Sequence, residues 1–154
     1  NVITTSDVLK YQPDAFDFGI STTATETTNF LLQTTNDILR QLRIEWFPTY
    51  KTNVYTDITV LNTVEMDNTK VNLDQFERAG VYLFLGRFYL PALTKFRPET
   101  EKDRFERMAE YYMAEYNKEF RSILEDGVEY DSTSDGTIVS SERESLHGYR
   151  RLNR

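Results

Sequence analysis

The stretch Phe105–Leu124, FERMAEYYMAEYNKEFRSIL, decides the fold. Its residues Phe105, Met108, Ala109, Tyr112, Tyr116, Phe120 and Ile123 recur at intervals of three and four. That is the period of one face of an α-helix, sustained here for about five turns. Pro98 suits a first turn and Gly127 a stop, so the spacing predicts a helix from Pro98 to about Leu124.

Working back toward the N-terminus, Asn72 followed three residues later by Gln75 resembles a capping box and predicts a second helix from Asn72 to about Leu90, before Pro91. Its interior is apolar on more than one face, as in a helix packed between others, and Gly80 and Gly86 there read as points of close helix contact. Leu31, Thr35, Ile38, Leu39, Leu42 and Trp46 form a third stripe, in a long helix that Pro48 is expected to end. The Ser/Thr-rich run Ser21–Thr28 leaves the start of that helix undefined. Thr4, Thr5 and Ser6 offer hydroxyl caps to a short N-terminal helix that stops by Pro13, followed by a loop through Gly19. Between Thr49 and Val71 the period changes: Val54, Thr56, Ile58 and Val60 alternate with Tyr55, Asp57 and Thr59, which predicts a hairpin or an extended arm turning near Asp67–Asn68. Val128–Arg154 has little apolar content and reads as a tail ordered only by a partner.

The expected fold is mainly α: a bundle of about three to four helices, with an arm or hairpin insertion over 49–71 and an extended C-terminal tail. Residues 1–127 form the helical domain and 128–154 the tail. The chain's 154 residues suffice for one core, and ten Phe and ten Tyr supply it with apolar surface.

A net charge of −7 opposes an electrostatic grip on a nucleic-acid backbone. There is no cysteine for thiolate chemistry, and His147 is the single histidine. Phosphate loops, dinucleotide glycine patterns and nucleophile elbows are absent. Arg78 and Arg87 interrupt the most hydrophobic run, and no signal-peptide pattern is present, so the expectation is a soluble chain made in the cytosol without membrane contact. Glu101, Arg104, Glu106, Arg107, Glu110, Glu115, Lys118 and Glu119 read as a solvated helix face rather than a carboxylate pair for acid–base work. Trp46-Phe47-Pro48-Thr49-Tyr50 reads as a helix end plugged into the core, with an aromatic interface as the alternative.

Two C-terminal features suggest binding. Asp131–Glu142 follows the twelve-residue calcium loop of an EF-hand, with Asp at positions one and five, Gly136 at six, Ile138 at eight and Glu at twelve. Short acidic side chains at alternate positions can curl around a hard cation, Gly supplies the bend, and the last Glu closes the shell. The calcium ligands would be Asp131, Thr133, Asp135, the Thr137 carbonyl, Val139 through a water, and Glu142. Thr133 departs from the usual Asp or Asn, and no convincing helix enters the loop. The second feature is the basic end Tyr149-Arg150-Arg151-Leu152-Asn153-Arg154, whose guanidinium forks suit carboxylate or phosphate partners.

Taken together, Ile3-Thr4-Thr5-Ser6-Asp7-Val8 before a short helix, a long helix ending in Leu42-Arg43-Ile44-Glu45-Trp46-Phe47-Pro48, the acidic Asp131-x-x-x-Asp135-Gly136 and the closing Arg150-Arg151-Leu152-x-Arg154 resemble the head-tail connector, or head completion adaptor, proteins of long-tailed bacteriophages. The resemblance implies a non-enzymatic structural protein of the virion neck, assembled in the host cytoplasm into a twelve-membered ring under the portal. Its partners would be the portal protein, neighbouring copies of itself and the next neck or tail-terminator protein, with the genome passing through the ring without specific binding. By the same resemblance, Tyr149, Arg150, Arg151, Leu152 and Arg154 would dock on the portal, and Thr49–Val71 would be the variable insertion that meets a neighbour. An acidic ring suits such a conduit, because like charge keeps DNA from adhering. The alternative is a calcium-responsive protein-binding module.

Overall fold

A computed structural model describes residues 1–18, 24–94 and 99–145 of the chain. The fold is mainly α. The first helix, α1 (Thr5–Tyr11), opens with a closed capping box: the Asp7 amide donates to Thr4 Oγ1, and the Thr4 amide donates to the Asp7 carboxylate at 2.9 Å. A 3-10 turn (Ala15–Phe18) follows Pro13. The long α2 (Thr25–Glu45) buries Leu31, Ile38, Leu39 and Leu42, as its stripe predicts. Thr34 and Thr35 are buried beside them, their hydroxyls donating to the carbonyls of Phe30 and Leu31 one turn back.

Pro48 does not end α2. The helix breaks at Trp46, and Pro48 lies in the first turn of α3 (Phe47–Val54), where its missing N–H costs nothing. The alternating residues after Thr49 do not form a hairpin. Val54 ends α3, Ile58, Thr59 and Val60 open α4 (Ile58–Thr63), and Tyr55, Thr56 and Asp57 link the two, because Phe47 and Tyr50 pack at helical spacing and the Asp57 carboxylate accepts the Thr59 amide as a helix cap.

Asn72 caps a 3-10 turn (Leu73–Phe76) that leads into α5 (Glu77–Leu83), a π-helical segment (Phe84–Tyr89) and α6 (Leu90–Thr94). This rod continues through Pro91 rather than stopping before it. The wider π turns come just where a proline ring would otherwise press on the carbonyl four residues back. Gln75 does not close a capping box. It reaches across to donate to the Gly127 carbonyl and to accept the Glu129 amide.

The last helix, α7 (Glu99–Asp126), runs antiparallel to the rod: Phe76 meets Phe120 at one end, and Gly86 faces Ala109 and Met113 further along. Both glycines do mark close contacts. A Cβ on Gly86 would lie 2.9 Å from Met113 Cγ, and one on Gly80 2.8 Å from both Val2 and Ile3. α2 also runs antiparallel to the rod, with Ile38 near Gly80 and Phe30 stacked on Phe88. Pro98, the expected helix start, is outside the described residues.

Gly127 ends α7 at φ +112°, and its amide donates to the Ile123 carbonyl. Beyond it, β1 (Val128–Glu129) pairs antiparallel with β2 (Arg143–Glu144), and Tyr130 bridges to Val71. The reading of all of 128–154 as a tail awaiting a partner is thereby corrected for 128–145. That stretch is part of the body because distant residues supply the anchors its own composition lacks. Val128 and Tyr130 are buried, Trp46 Nε1 donates to the Glu144 carbonyl at 2.9 Å, and Asn72 Nδ2 donates to the Glu129 carboxylate at 2.6 Å.

Candidate interaction surfaces

The loop Asp131–Glu142 crosses between the two short strands, and its residues are held by one another. Asp131 accepts the amides of Asp135 at 3.2 Å and Gly136 at 2.9 Å, together with the Thr133 hydroxyl. Asp135 accepts the Thr137 amide at 2.8 Å. Glu142 is buried and accepts the Ser132 hydroxyl at 2.8 Å, the Thr133 amide at 3.0 Å and, on its other oxygen, the Val139 amide at 3.2 Å. These donors, the Thr133 amide first, pull its carboxyl down to about 2. Ser134 and Gly136 take positive φ values at the bends.

The structure brings the six calcium-loop positions into one loop and turns the carboxylates of Asp131, Asp135 and Glu142 to amide and hydroxyl donors. Glu142, which would chelate with both oxygens, has both on N–H and O–H donors. The Val139 group facing it is an amide proton, of the wrong polarity for a cation. Among the described residues no three His, Cys, Asp or Glu side chains are grouped to hold a metal ion.

His147, Tyr149, Arg150, Arg151, Leu152 and Arg154 lie outside the described residues. Besides the Trp46 bond to its carbonyl, Glu144 accepts Asn53 Nδ2 at 3.2 Å, so the described chain ends beside α3. At that same end, α4 buries none of its residues. Ile58 is 74% exposed, and Val54 and Val60 are also exposed. Lys51 Nζ donates to the Leu61 carbonyl and ties α4 to α3.

The five-residue aromatic stretch after Glu45 belongs to the core. Trp46, Phe47 and Tyr50 are buried and gather around Tyr130, with the Trp46 and Tyr50 ring centroids 4.8 Å apart. On α7, Arg104, Glu106, Arg107, Glu110 and Lys118 are exposed, while Glu115 and Glu119 are half-buried. Glu119 faces Arg78 at 3.8 Å.

Two surfaces escape sequence reasoning. The first is a hollow of about 190 Å3 between α2, the rod and α7, lined by Arg40, Gln41, Ile44, Leu83, Arg87 and Tyr116 among others. Tyr116 is buried beneath it and donates its hydroxyl to Gln41 Oε1; burial, with the Glu45 and Asp37 carboxylates nearby, pushes its own ionisation well up. Arg87, carried by the π segment, reaches Asp37 at 3.5 Å. Ile44 is 63% exposed at the edge. The second is a ladder of tyrosines from three helices, Tyr11, Tyr82, Tyr112 and Tyr111, with successive ring centroids 6.2, 5.9 and 5.4 Å apart. The Arg78 guanidinium lies 5.6 Å from the Tyr82 ring. Only the Arg78–Tyr82 spacing of four carried a local signal for it.

Among the described residues no helix is long and apolar enough to cross a membrane. No protein-family model, curated protein or solved structure matches the chain.

Proposed function

We propose that this chain is a structural adaptor of a viral neck, joining the portal to the tail or the next neck protein and lining part of the DNA conduit as a ring of copies. The observation that carries the reading is that the described chain ends beside an exposed aliphatic patch. The side chains of Val54, Ile58 and Val60 face solvent there, and Glu144, which precedes the basic Arg150, Arg151 and Arg154 in the sequence, is bonded to Asn53 of α3. The resemblance in the opening, long-helix and closing motifs points the same way.

In this reading the three-helix body acts as a rigid spacer. Each basic end makes a short linear contact with portal carboxylates, and repetition around the ring makes weak contacts collectively tight. The 49–71 insertion meets the neighbouring copy. No reaction is required of it.

Electron microscopy of the purified chain mixed with a portal ring from the same virus tests this. The expected result is a ring of added density on one face of the portal, lost when residues 149–154 are deleted. A portal that stays bare at every concentration sinks the adaptor reading, and a ring that forms equally well without 149–154 sinks the role of the basic end.

A further inference from the structure

We propose that copies of this chain join head to tail, with Ile58 of one copy seated in the hollow between α2 and the π segment of the next. The proposal rests on the ring reading above and names the two surfaces that meet.

The first argument is geometric. Successive residues of an α-helix are turned by about 100°. Gln41 and Arg43 are therefore about 200° apart around α2, on nearly opposite flanks. Gln41 lines the hollow and receives the Tyr116 hydroxyl, whereas Arg43 donates to Asn68, where the insertion returns to the body. Ile58 is 74% exposed and is not among the residues lining the hollow, so the two do not meet within a copy. A contact between unlike surfaces is heterologous, and heterologous contacts make a ring where the rotation closes and an open filament where it does not.

The second argument is chemical. The hollow is several times the ~30 Å3 share of one water, enough for a branched aliphatic side chain. It offers such a side chain Leu83 below and Ile44 at the rim, both aliphatic. Ile58 is flanked by exposed Asp57, whose carboxylate accepts the Thr59 amide at 2.7 Å. The hollow carries two carboxylates and two guanidinium groups: Arg87 reaches Asp37 at 3.5 Å, Glu45 lies at the same wall, and exposed Arg40 has no ion pair among the described residues. Seating Ile58 brings the Asp57 carboxylate to the Arg40 guanidinium, the cation of that wall left without an acidic partner there. Copies carrying −7 each repel one another, which makes a local match of this kind necessary.

The absence of cysteine from the chain gives a direct test in the full-length protein. Cysteines are introduced at the two positions singly, Ile44→Cys and Ile58→Cys, and together. Each variant is oxidised mildly, alone and on a portal ring, and the products are separated under denaturing conditions. The double variant is expected to give a ladder of covalent multimers and each single variant none. Dimers from the Ile58→Cys single variant alone, or no ladder from the double variant in either setting, overturn the proposal.

Ile58→Asp and Ile44→Asp supply a second readout by sedimentation. Both positions are exposed, so folding is expected to survive. Each variant should self-associate at least about tenfold more weakly, and an equimolar mixture should stop at a heterodimer, since each retains one intact surface. Undiminished self-association of either variant overturns the contact. A ladder without portal binding keeps this contact and sinks the neck reading, and a portal-bound ring that gives no ladder does the reverse.

Discussion

Trp46, Phe47 and Tyr50 turn their rings inward onto Tyr130, whereas Val54, Ile58 and Val60, only a few residues later, turn aliphatic side chains to solvent. Phe47, Tyr50 and Val54 sit on α3 and Ile58 and Val60 on α4, and neither helix is long enough to be stable on its own. The first is fixed by burial and by the indole N–H bond to Glu144. The second is fixed by the Asp57 cap and one lysine bond to a carbonyl. Apolar content alone does not distinguish them; what differs is whether a distant segment comes back to cover the face. At Trp46 the chain returns after α7 to do so.

Removing the cover is the strongest way to break this contrast. Trp46→Ala leaves a void among rings and frees the Glu144 carbonyl, and should cost about 3–5 kcal/mol in denaturant unfolding followed by circular dichroism. A loss under 1 kcal/mol would show that the corner is not a core. Gly127→Ala attacks the return path itself. Its φ of +112° is strained for alanine, and the new Cβ would lie 2.7 Å from Arg143 Cγ, so a loss of about 1–3 kcal/mol is expected, with hydrogen exchange accelerating first at β1 and β2.

A smaller effect is expected from acid. The Glu142 carboxyl is held at about 2, against an ordinary value of 4.5, so the unfolded chain binds the extra proton as pH falls below 4.5. Its stabilisation is complete above that value and is lost as pH drops toward 2. Melting curves across this window should show a shallower pH slope in Glu142→Gln than in the parent. Because the same carboxylate is occupied by loop donors, added calcium at millimolar concentration should leave the parent melting temperature unchanged; a rise of several degrees would mean the loop reorganises around the ion. The smallest effect belongs to the exposed side: Ile58→Ser should change stability by no more than about 0.5 kcal/mol, and a larger loss would place α4 in the core after all.

How much of this was legible follows from the same contrast. α7 and α2 could be read because a long helix buries one face against others and repeats the demand at every turn, from Leu31 to Leu42 and from Phe105 to Ile123. Thr34 was harder to assign, since a hydroxyl that bonds the carbonyl one turn back enters the core without an apolar signature. The alternation from Val54 to Val60 misled because, over so few residues, periods of two and of 3.6 overlap, and the Asp57 cap decides between them. Composition made 128–145 look detached, since its anchors, Gln75, Trp46 and Asn72, lie far away in the chain. The Asp131–Glu142 pattern fixed where the carboxylates stand but not what they face. A carboxylate turned to amides and one turned to a cation are written with the same letters. The hollow and the tyrosine ladder each draw on three elements and have no linear signature.

The π segment couples the length of the rod to the shape of the hollow. Leu83 precedes it and Arg87 lies inside it, and both line the same wall. Removing one residue between Phe84 and Tyr89 would restore ordinary α-helical bonding and ease the backbone locally. It would also turn everything on one side of the cut by about 100° relative to the other, taking either Leu83 or Arg87 out of the wall. A single-residue deletion here is therefore not the neutral trim it would be in a loop. In descendants of this gene the count of residues through this segment should be held more tightly than their identity.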